Sequence, residues 1–192
     1  MRRKRTLRAM LAALVSGAMV LGVCRSAAAG EPAPPIDGHF ALSTLDGKPA
    51  ADTDFRGKWL LIYFGYTFCP DVCPTTLSQL GNALDELGPK ASDFQAVFIT
   101  VDPARDKTAV MKDYMKSFSP RILALRGAPE DIEEAAKSFH VYYRPRSLGN
   151  GQYTVDHSSY IYVIDPKGKF AQLLTGDQPG HPLVEDLRKL DR

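Results

Sequence analysis

Continuous apolar runs alternate with amphipathic stretches along most of the chain, a pattern that predicts strands alternating with helices. The first apolar run, residues 58–64, is typical of a strand that is covered on both faces. Leucines at helical spacing follow this run, and Gly88-Pro89 marks the predicted end of that helix. These leucines are Leu77, Leu80, Leu84 and Leu87.

The alternation continues through the rest of the chain. Further strands are predicted at 94–101, 122–125, 159–164 and 169–174, and further helices at 107–118, 130–139 and 182–190. The last two strands are joined by residues 165–168 (Asp-Pro-Lys-Gly), which form a good turn sequence. Strand–helix units followed by a hairpin and a helix indicate an α/β domain, with a mixed central sheet flanked by helices.

Residues 141–156 interrupt this pattern with a polar stretch that is rich in aromatic residues. We expect a long loop here, and long loops inside compact domains are often functional.

The N-terminal residues 1–29 have the pattern of an export signal. They hold six Lys and Arg residues and no acidic residue, then an apolar stretch at about 9–23, then three alanines at 27–29. The apolar stretch is shorter than the ~20 residues of a usual spanning helix. A cleaved signal peptide is therefore the first interpretation, and an N-terminal membrane anchor is the alternative. Lipidation at Cys24 ranks last, because Val23 stands where a small residue is expected.

Residues 30–36 contain three prolines and are predicted to form a stiff linker. The domain itself is predicted to span residues 37–192. Without the first 29 residues, 18 of the 24 basic residues remain against 22 acidic ones, a net charge of −4. A mildly acidic domain offers no electrostatic reason to bind nucleic acid.

Cys69 and Cys73 are the only cysteines left once the signal is removed, and export would place them in an oxidising compartment. A disulfide between positions so close in sequence would restrain almost no chain, so a structural role is a poor explanation. The two cysteines lie between a buried strand and the following helix, where α/β folds usually place ligands. Residues four apart in a helical turn have Cβ atoms ~5–6 Å apart, which suits either a disulfide or two sulfurs on one ion.

Three interpretations of the pair stay open from the residues alone. They are an incidental surface disulfide, a dithiol redox centre, and a metal site that needs at least one more ligand. The redox interpretation is weakened by the spacing, because the usual redox motif is Cys-x-x-Cys. Among the histidines, His39, His140 and His181 are more easily surface or capping residues. His157 differs because it follows the insertion and directly precedes a strand, so a loop could carry it over the cysteine pair.

Three segments closely resemble the SCO/SenC family. They are residues 65–74 (Gly-Tyr-Thr-Phe-Cys-Pro-Asp-Val-Cys-Pro), residues 101–106 (Val-Asp-Pro-Ala-Arg-Asp), and residues 156–158 (Asp-His-Ser) with residues 160–168. The resemblance runs from about residue 36 to 192. Members of that family are thioredoxin-fold copper proteins that serve cytochrome c oxidase assembly, chiefly the binuclear CuA site of subunit II. The resemblance implies a thioredoxin-like fold and copper bound by Cys69, Cys73 and His157.

The chemistry of these side chains agrees with that implication. Two thiolates and an imidazole are soft enough for Cu(I), and nitrogen also suits Cu(II). The same donors could hold zinc with an open position, so copper rests on the family resemblance. Asp71 and Asp156 stand beside the ligands and could tune the site or face a partner, or could equally be solvated loop acids.

We therefore expect a metallochaperone rather than an enzyme, which delivers one copper ion to the CuA site of oxidase subunit II in the periplasm. Its other partners would be a copper donor protein and a thiol reductant. The alternative is a thiol–disulfide reductase that keeps the CuA cysteines reduced through a redox disulfide between Cys69 and Cys73. A peroxiredoxin-like peroxidase is a weaker alternative, because Tyr66 and Pro70 stand where that chemistry would need threonine.

Overall fold

The computed structural model describes residues 35–176, 178 and 180–190. The predicted signal or anchor, Cys24 and almost all of the linker lie outside the described residues, and those predictions stay untested. Within the described ranges, no helix is both long and apolar enough to cross a membrane.

The described residues form nine strands and four α-helices, and every element predicted from the sequence is among them. Their bounds are β1 Ala41–Thr44, β2 Pro49–Ala51, β3 Trp59–Gly65, α1 Val72–Leu87, β4 Phe94–Thr100, α2 Thr108–Met115, β5 Ile122–Arg126, α3 Pro129–Ser138, β6 Tyr143–Gly149, β7 Gln152–His157, β8 Ile161–Ile164, β9 Phe170–Leu174 and α4 Leu183–Leu190. Where an element was predicted from the sequence, its ends agree to within three residues.

Seven strands form one sheet in the order β2-β1-β5-β4-β3-β8-β9. The three central strands β3, β4 and β5 run parallel, and the outer strands pair antiparallel. Parallel neighbours need crossover connections, which α1 and α2 supply. The central strands are consequently buried on both faces, and every residue of β3 after Trp59 is buried. The predicted mixed sheet flanked by helices is confirmed.

Helix α1 packs its leucine stripe into the core, and Leu77 and Leu80 have no exposed surface. The helix ends at Gly88, whose φ of 62° lies in the region that favours glycine. Its first turn contains Cys73, and Cys69 lies in the preceding loop. The hydrophobic stripe therefore fixes where the cysteine pair sits relative to the sheet.

The prediction of a long loop at 141–156 is wrong, because most of this segment forms a hairpin of β6 and β7. The two strands make a separate two-stranded sheet. Asn150 and Gly151 form the turn with positive φ values of 51° and 74°, as expected of a tight hairpin turn of this sequence. The segment was mistaken for a loop because β6 is largely exposed and lacks the apolar run of a buried strand. The short hairpin of β1 and β2 was also not predicted.

The carboxyl ends of β3 and β4 lie side by side, since Gly65 pairs with Thr100 in the parallel register. The cysteine loop follows β3 and the segment 101–106 follows β4. These two stretches therefore meet at one edge of the sheet, where α/β folds commonly bind ligands.

The packing of α1 can be tested with two leucines of opposite exposure. Leu80→Ala in the fully buried stripe should lower the free energy of unfolding by about 2–5 kcal/mol, because it leaves a cavity in the core. Leu148→Ala is the matched control, since Leu148 is 59% exposed, and it should change that free energy by no more than about 0.5 kcal/mol. Urea denaturation of the full chain measures both, and equal losses would contradict the packing described.

Candidate metal centre

Two sulfur donors and one nitrogen donor converge at this edge of the sheet. The Sγ atoms of Cys69 and Cys73 and a ring nitrogen of His157 all lie within 4.8 Å of one another. Nε2 of His157 is 3.2 Å from Sγ of Cys73. Both cysteines are free thiols. The structure thus brings together the three residues that the sequence analysis singled out as copper ligands.

The cysteine pair is positioned by the start of α1. The backbone N–H of Cys73 donates to Sγ of Cys69 at 3.4 Å, so an otherwise unpaired amide of the first helical turn points at that sulfur. Gly65 makes room for the other sulfur. A Cβ atom at this position would lie 2.9 Å from Sγ of Cys73 and 3.0 Å from the ring of Phe98. A side chain at position 65 would therefore collide with the site.

The pKa values of the two thiols are shifted in opposite directions. A hydrogen bond from the Cys73 thiol lowers the pKa of Cys69 to about 4, with further help from His157 and backbone amides against the opposing effect of burial. The same hydrogen bond and burial raise the pKa of Cys73. These opposite pKa shifts favour the thiolate at Cys69 and the thiol at Cys73. Because a thiolate is the form that binds metal, one of the two sulfur ligands is already prepared.

His157 is held in a defined orientation. Nδ1 lies 2.8 Å from the backbone oxygen of Ser158 and must donate to it, because a carbonyl can only accept. Nε2 is therefore the ring nitrogen that faces Cys73, and a ring whose other nitrogen is held by a backbone carbonyl is typical of metal-binding histidines. Edge-on aromatic rings flank the imidazole, with centroids at 6.3 Å for Tyr63 and 5.7 Å for Tyr66.

The two sulfurs differ in their access to solvent. Cys73 is completely buried, and the hydroxyl of Tyr63 approaches its sulfur at 3.7 Å. Cys69 retains 8% of its surface. Phe68, which precedes Cys69, and Val72, which precedes Cys73, are exposed apolar side chains. The site is thus closed behind Cys73 and opens towards solvent beside Cys69.

The two aspartates predicted near the ligands have different surroundings. Asp71 is exposed at the N-terminus of α1, and its carboxylate makes no capping hydrogen bond. Asp156 pairs with Nε of Arg146 across the hairpin at 3.2 Å. Neighbouring residues of a strand point to opposite faces, so the side chain of Asp156 points away from the face that carries His157. A role of either aspartate in tuning the site stays a prediction.

The other histidines lie outside this cluster. His39 contacts Asp52 at 3.2 Å, and His181 contacts Asp186 at 2.9 Å. His140 is exposed at the end of α3 with a φ of 53°.

Asp106 supports the cysteine loop and was not identified from the sequence. Its completely buried carboxylate accepts hydrogen bonds at 2.6 Å from the hydroxyls of Thr67 and Thr100. The backbone N–H of Thr67 also donates to it, at 3.0 Å. Burial raises the pKa of Asp106 against the effect of these donors. The conspicuous segment 101–106 was the available signal, but its contact with Thr67 depends on β3 and β4 being neighbours.

Comparison with known proteins supports a single family. Residues 28–191 match the family model described as SCO1/SenC. The curated mouse protein SCO2 homolog, mitochondrial, is 40% identical over 155 residues, which cover 79% of this chain and 61% of that protein. The yeast (Saccharomyces cerevisiae) protein SCO1, mitochondrial, is 41% identical over 144 residues, covering 73% of this chain and 49% of that protein. The chain thus spans about half the length of the curated relatives it matches.

Two solved structures of copper-bound proteins are similar to this one. Bradyrhizobium japonicum ScoI with copper bound has a TM-score of 0.74 and 39% identity, over 81% of this chain and 99% of that chain. Yeast Sco1 with copper bound has a TM-score of 0.73 and 38% identity, over 81% of this chain and 88% of that chain. This likeness confirms the thioredoxin-like fold. With the family model matching most of its length, the chain belongs to the SCO1/SenC family.

Proposed function

We propose that this protein is a copper metallochaperone that binds one copper ion through Cys69, Cys73 and His157. The observation that carries the proposal is the convergence of two free thiols and one oriented imidazole within 4.8 Å. Copper is the metal of choice because similar structures from Bradyrhizobium japonicum and yeast have copper bound. The proposed role is binding and transfer without catalytic turnover.

Delivery to the CuA site of cytochrome c oxidase subunit II is the proposed purpose of this binding. Two thiolates and one imidazole hold Cu(I) through soft donors. Three protein donors leave room for an incoming ligand from a partner, so copper can move by ligand exchange without release into solvent. A copper donor protein and a thiol reductant complete the proposed set of partners, since an oxidised cysteine pair cannot bind the ion.

The ligand set predicts the stoichiometry and its dependence on His157. The reduced full chain should bind one copper ion, and His157→Ala should weaken Cu(I) affinity by at least ~10–100-fold, because it removes a donor outright. Competition with a Cu(I) chelator measures the affinity. His39→Ala is the matched control and should bind as the wild type does, because His39 lies outside the cluster. Tight binding by protein with a Cys69–Cys73 disulfide would contradict the assignment.

The cysteine geometry also favours a second candidate, the thiol–disulfide reductase. Such an enzyme needs an attacking thiolate and a resolving thiol behind it. Cys69 at the solvent edge and the buried Cys73 next to it satisfy that need. This candidate would act on the cysteines of the oxidase CuA site, and it does not require His157 as a ligand.

Oxidase activity in cells that lack the wild-type protein separates the two candidates. His157→Ala should fail to support assembly of an active oxidase, and added copper should partly restore it, because the defect lies in copper supply. Cys69→Ser should fail in parallel. Full activity with His157→Ala together with no activity with Cys69→Ser would establish the reductase in place of the chaperone.

The proposed location is the periplasm, with residues 1–29 as the export signal and 37–192 as the copper-binding domain. The basic start, apolar stretch and alanines of residues 1–29 support this location. Mass spectrometry of the protein from its own cells should detect a chain that begins near Gly30. Intact residues 1–25 in the membrane fraction would indicate an anchor instead. Recovery from mitochondria, where the names of curated relatives place them, would overturn the periplasmic location.

A further inference from the structure

His157 belongs to a hairpin that is not part of the main sheet. Strands β6 and β7 pair only with each other among the described strands, whereas the cysteines follow strand β3 of the seven-stranded sheet. No ladder of backbone hydrogen bonds between described strands therefore fixes the imidazole relative to the sulfurs. Its position instead depends on the short connection 158–160 to β8, which pairs with β3, and on side-chain contacts between the hairpin and the body of the domain.

Arg105 makes the most extensive of these contacts, and it makes them to Tyr153 of β7. Its Nη1 donates to the backbone oxygen of Tyr153 at 2.7 Å. The centre of its guanidinium group lies 3.6 Å from the centroid of the Tyr153 ring. Asp102 completes the arrangement, because it accepts from Nε of Arg105 at 2.5 Å and from the Tyr153 hydroxyl at 2.8 Å. Tyr153 is thus held by its backbone, its ring and its hydroxyl.

The same guanidinium group also touches the cysteine loop. It lies 4.9 Å from the ring centroid of Phe68, the residue before Cys69, and 5.7 Å from that of Tyr66. Tyr66 in turn reaches the hairpin, because its hydroxyl lies 2.9 Å from Oγ1 of Thr154. Arg105 therefore lies between the segment that carries the sulfurs and the segment that carries the nitrogen.

We propose that Arg105 is a positioning residue that holds the β6–β7 hairpin against the cysteine loop and thereby sets the copper affinity of the site. This inference rests on the proposed function. We call the contacts of Arg105 with Asp102, Tyr153 and Phe68 the clamp. Without the clamp, the hairpin spends less time in the position where Nε2 of His157 meets the sulfurs. The apparent affinity for copper is then the intrinsic affinity multiplied by the fraction of molecules in which the site is complete.

The clamp requires the guanidinium group and not merely a positive charge. Arginine donates from Nε and Nη1 in fixed directions while its planar face stacks on an aromatic ring. Lysine carries a compact charge that cannot bond Asp102 and the Tyr153 oxygen in this way while stacking on the ring. Arg105→Lys should therefore show most of the loss of Cu(I) affinity that Arg105→Met shows.

A double-mutant cycle on the full chain tests the proposal. Arg105→Met should weaken Cu(I) affinity about tenfold, the lower end of the effect of removing a residue that orients a metal ligand. In the His157→Ala background the same substitution should cause no further loss of Cu(I) affinity, because the hairpin then carries no metal ligand. A general loss of structure would weaken binding in both backgrounds. Arg121→Met is the matched control, since Arg121 makes an exposed ion pair with Asp85, and it should bind copper as the wild type does.

Tyr153→Phe provides a second route if Arg105→Met does not fold. It removes only the hydroxyl that donates to Asp102 and should weaken copper binding with His157 present but not in its absence. Tyr143→Phe, in the other strand of the hairpin, is its control and should bind copper as the wild type does. Unchanged affinity in Tyr153→Phe, full affinity in Arg105→Lys, or an equal loss from Arg105→Met in both backgrounds would each overturn the proposal.

The proposed function can fail separately from this inference. Absence of copper binding by the wild type, or unchanged affinity in His157→Ala, would refute the copper site itself. His157-dependent binding that the Arg105 and Tyr153 variants leave intact would refute only the clamp.

Discussion

Sulfur and nitrogen donors that are 84 residues apart in sequence must meet at 3.2 Å, and most of the architecture around the site serves this approach. The sulfurs are set by the most rigid part of the domain. Strand β3 is buried at the centre of the sheet, and the leucine stripe of α1 anchors the helix whose first turn contains Cys73. Gly65 lacks the Cβ that would otherwise push against this sulfur. The cysteine half of the site therefore depends on core packing, which is costly to disturb.

The histidine half is held by different forces. The hairpin has its own two-stranded sheet and meets the body through side chains, chiefly the Arg105–Tyr153 contact and the Tyr66 hydroxyl. A contact of this kind can be released without breaking the backbone hydrogen bonds of the main sheet. Under the proposed function, this division lets one ligand loosen during copper transfer while both sulfurs keep their places.

The sequence predicted the cysteine half better than the histidine half, for a physical reason. A continuous apolar run and a leucine stripe are local signals, and they placed Cys69 and Cys73 between a strand and a helix. The hairpin is mostly exposed, so its strands lack that signal, although Asn150-Gly151 is a recognisable turn dipeptide. Choosing His157 over the other histidines required a family resemblance, because polar residues in sequence do not reveal which of them face a distant thiol.

Arg105 could not be recognised as a contact between the two halves from sequence at all. Its partners Phe68 and Tyr153 come from opposite sides of it in the chain, and they meet only because β3 and β4 end side by side. A guanidinium group that is withdrawn from water costs free energy unless it is paired and hydrogen-bonded. Arg105 is partly buried where the hairpin joins the cysteine loop. Asp102 and the Tyr153 oxygen pair its Nε and Nη1, whereas its Nη2 is buried without a hydrogen-bond partner. A dithiol reductase would use the imidazole only to favour the Cys69 thiolate, whereas a metal site needs Nε2 of His157 as a donor in a fixed place. Under the proposed function, that need explains why Arg105, Asp102 and Tyr66 hold the hairpin that carries His157.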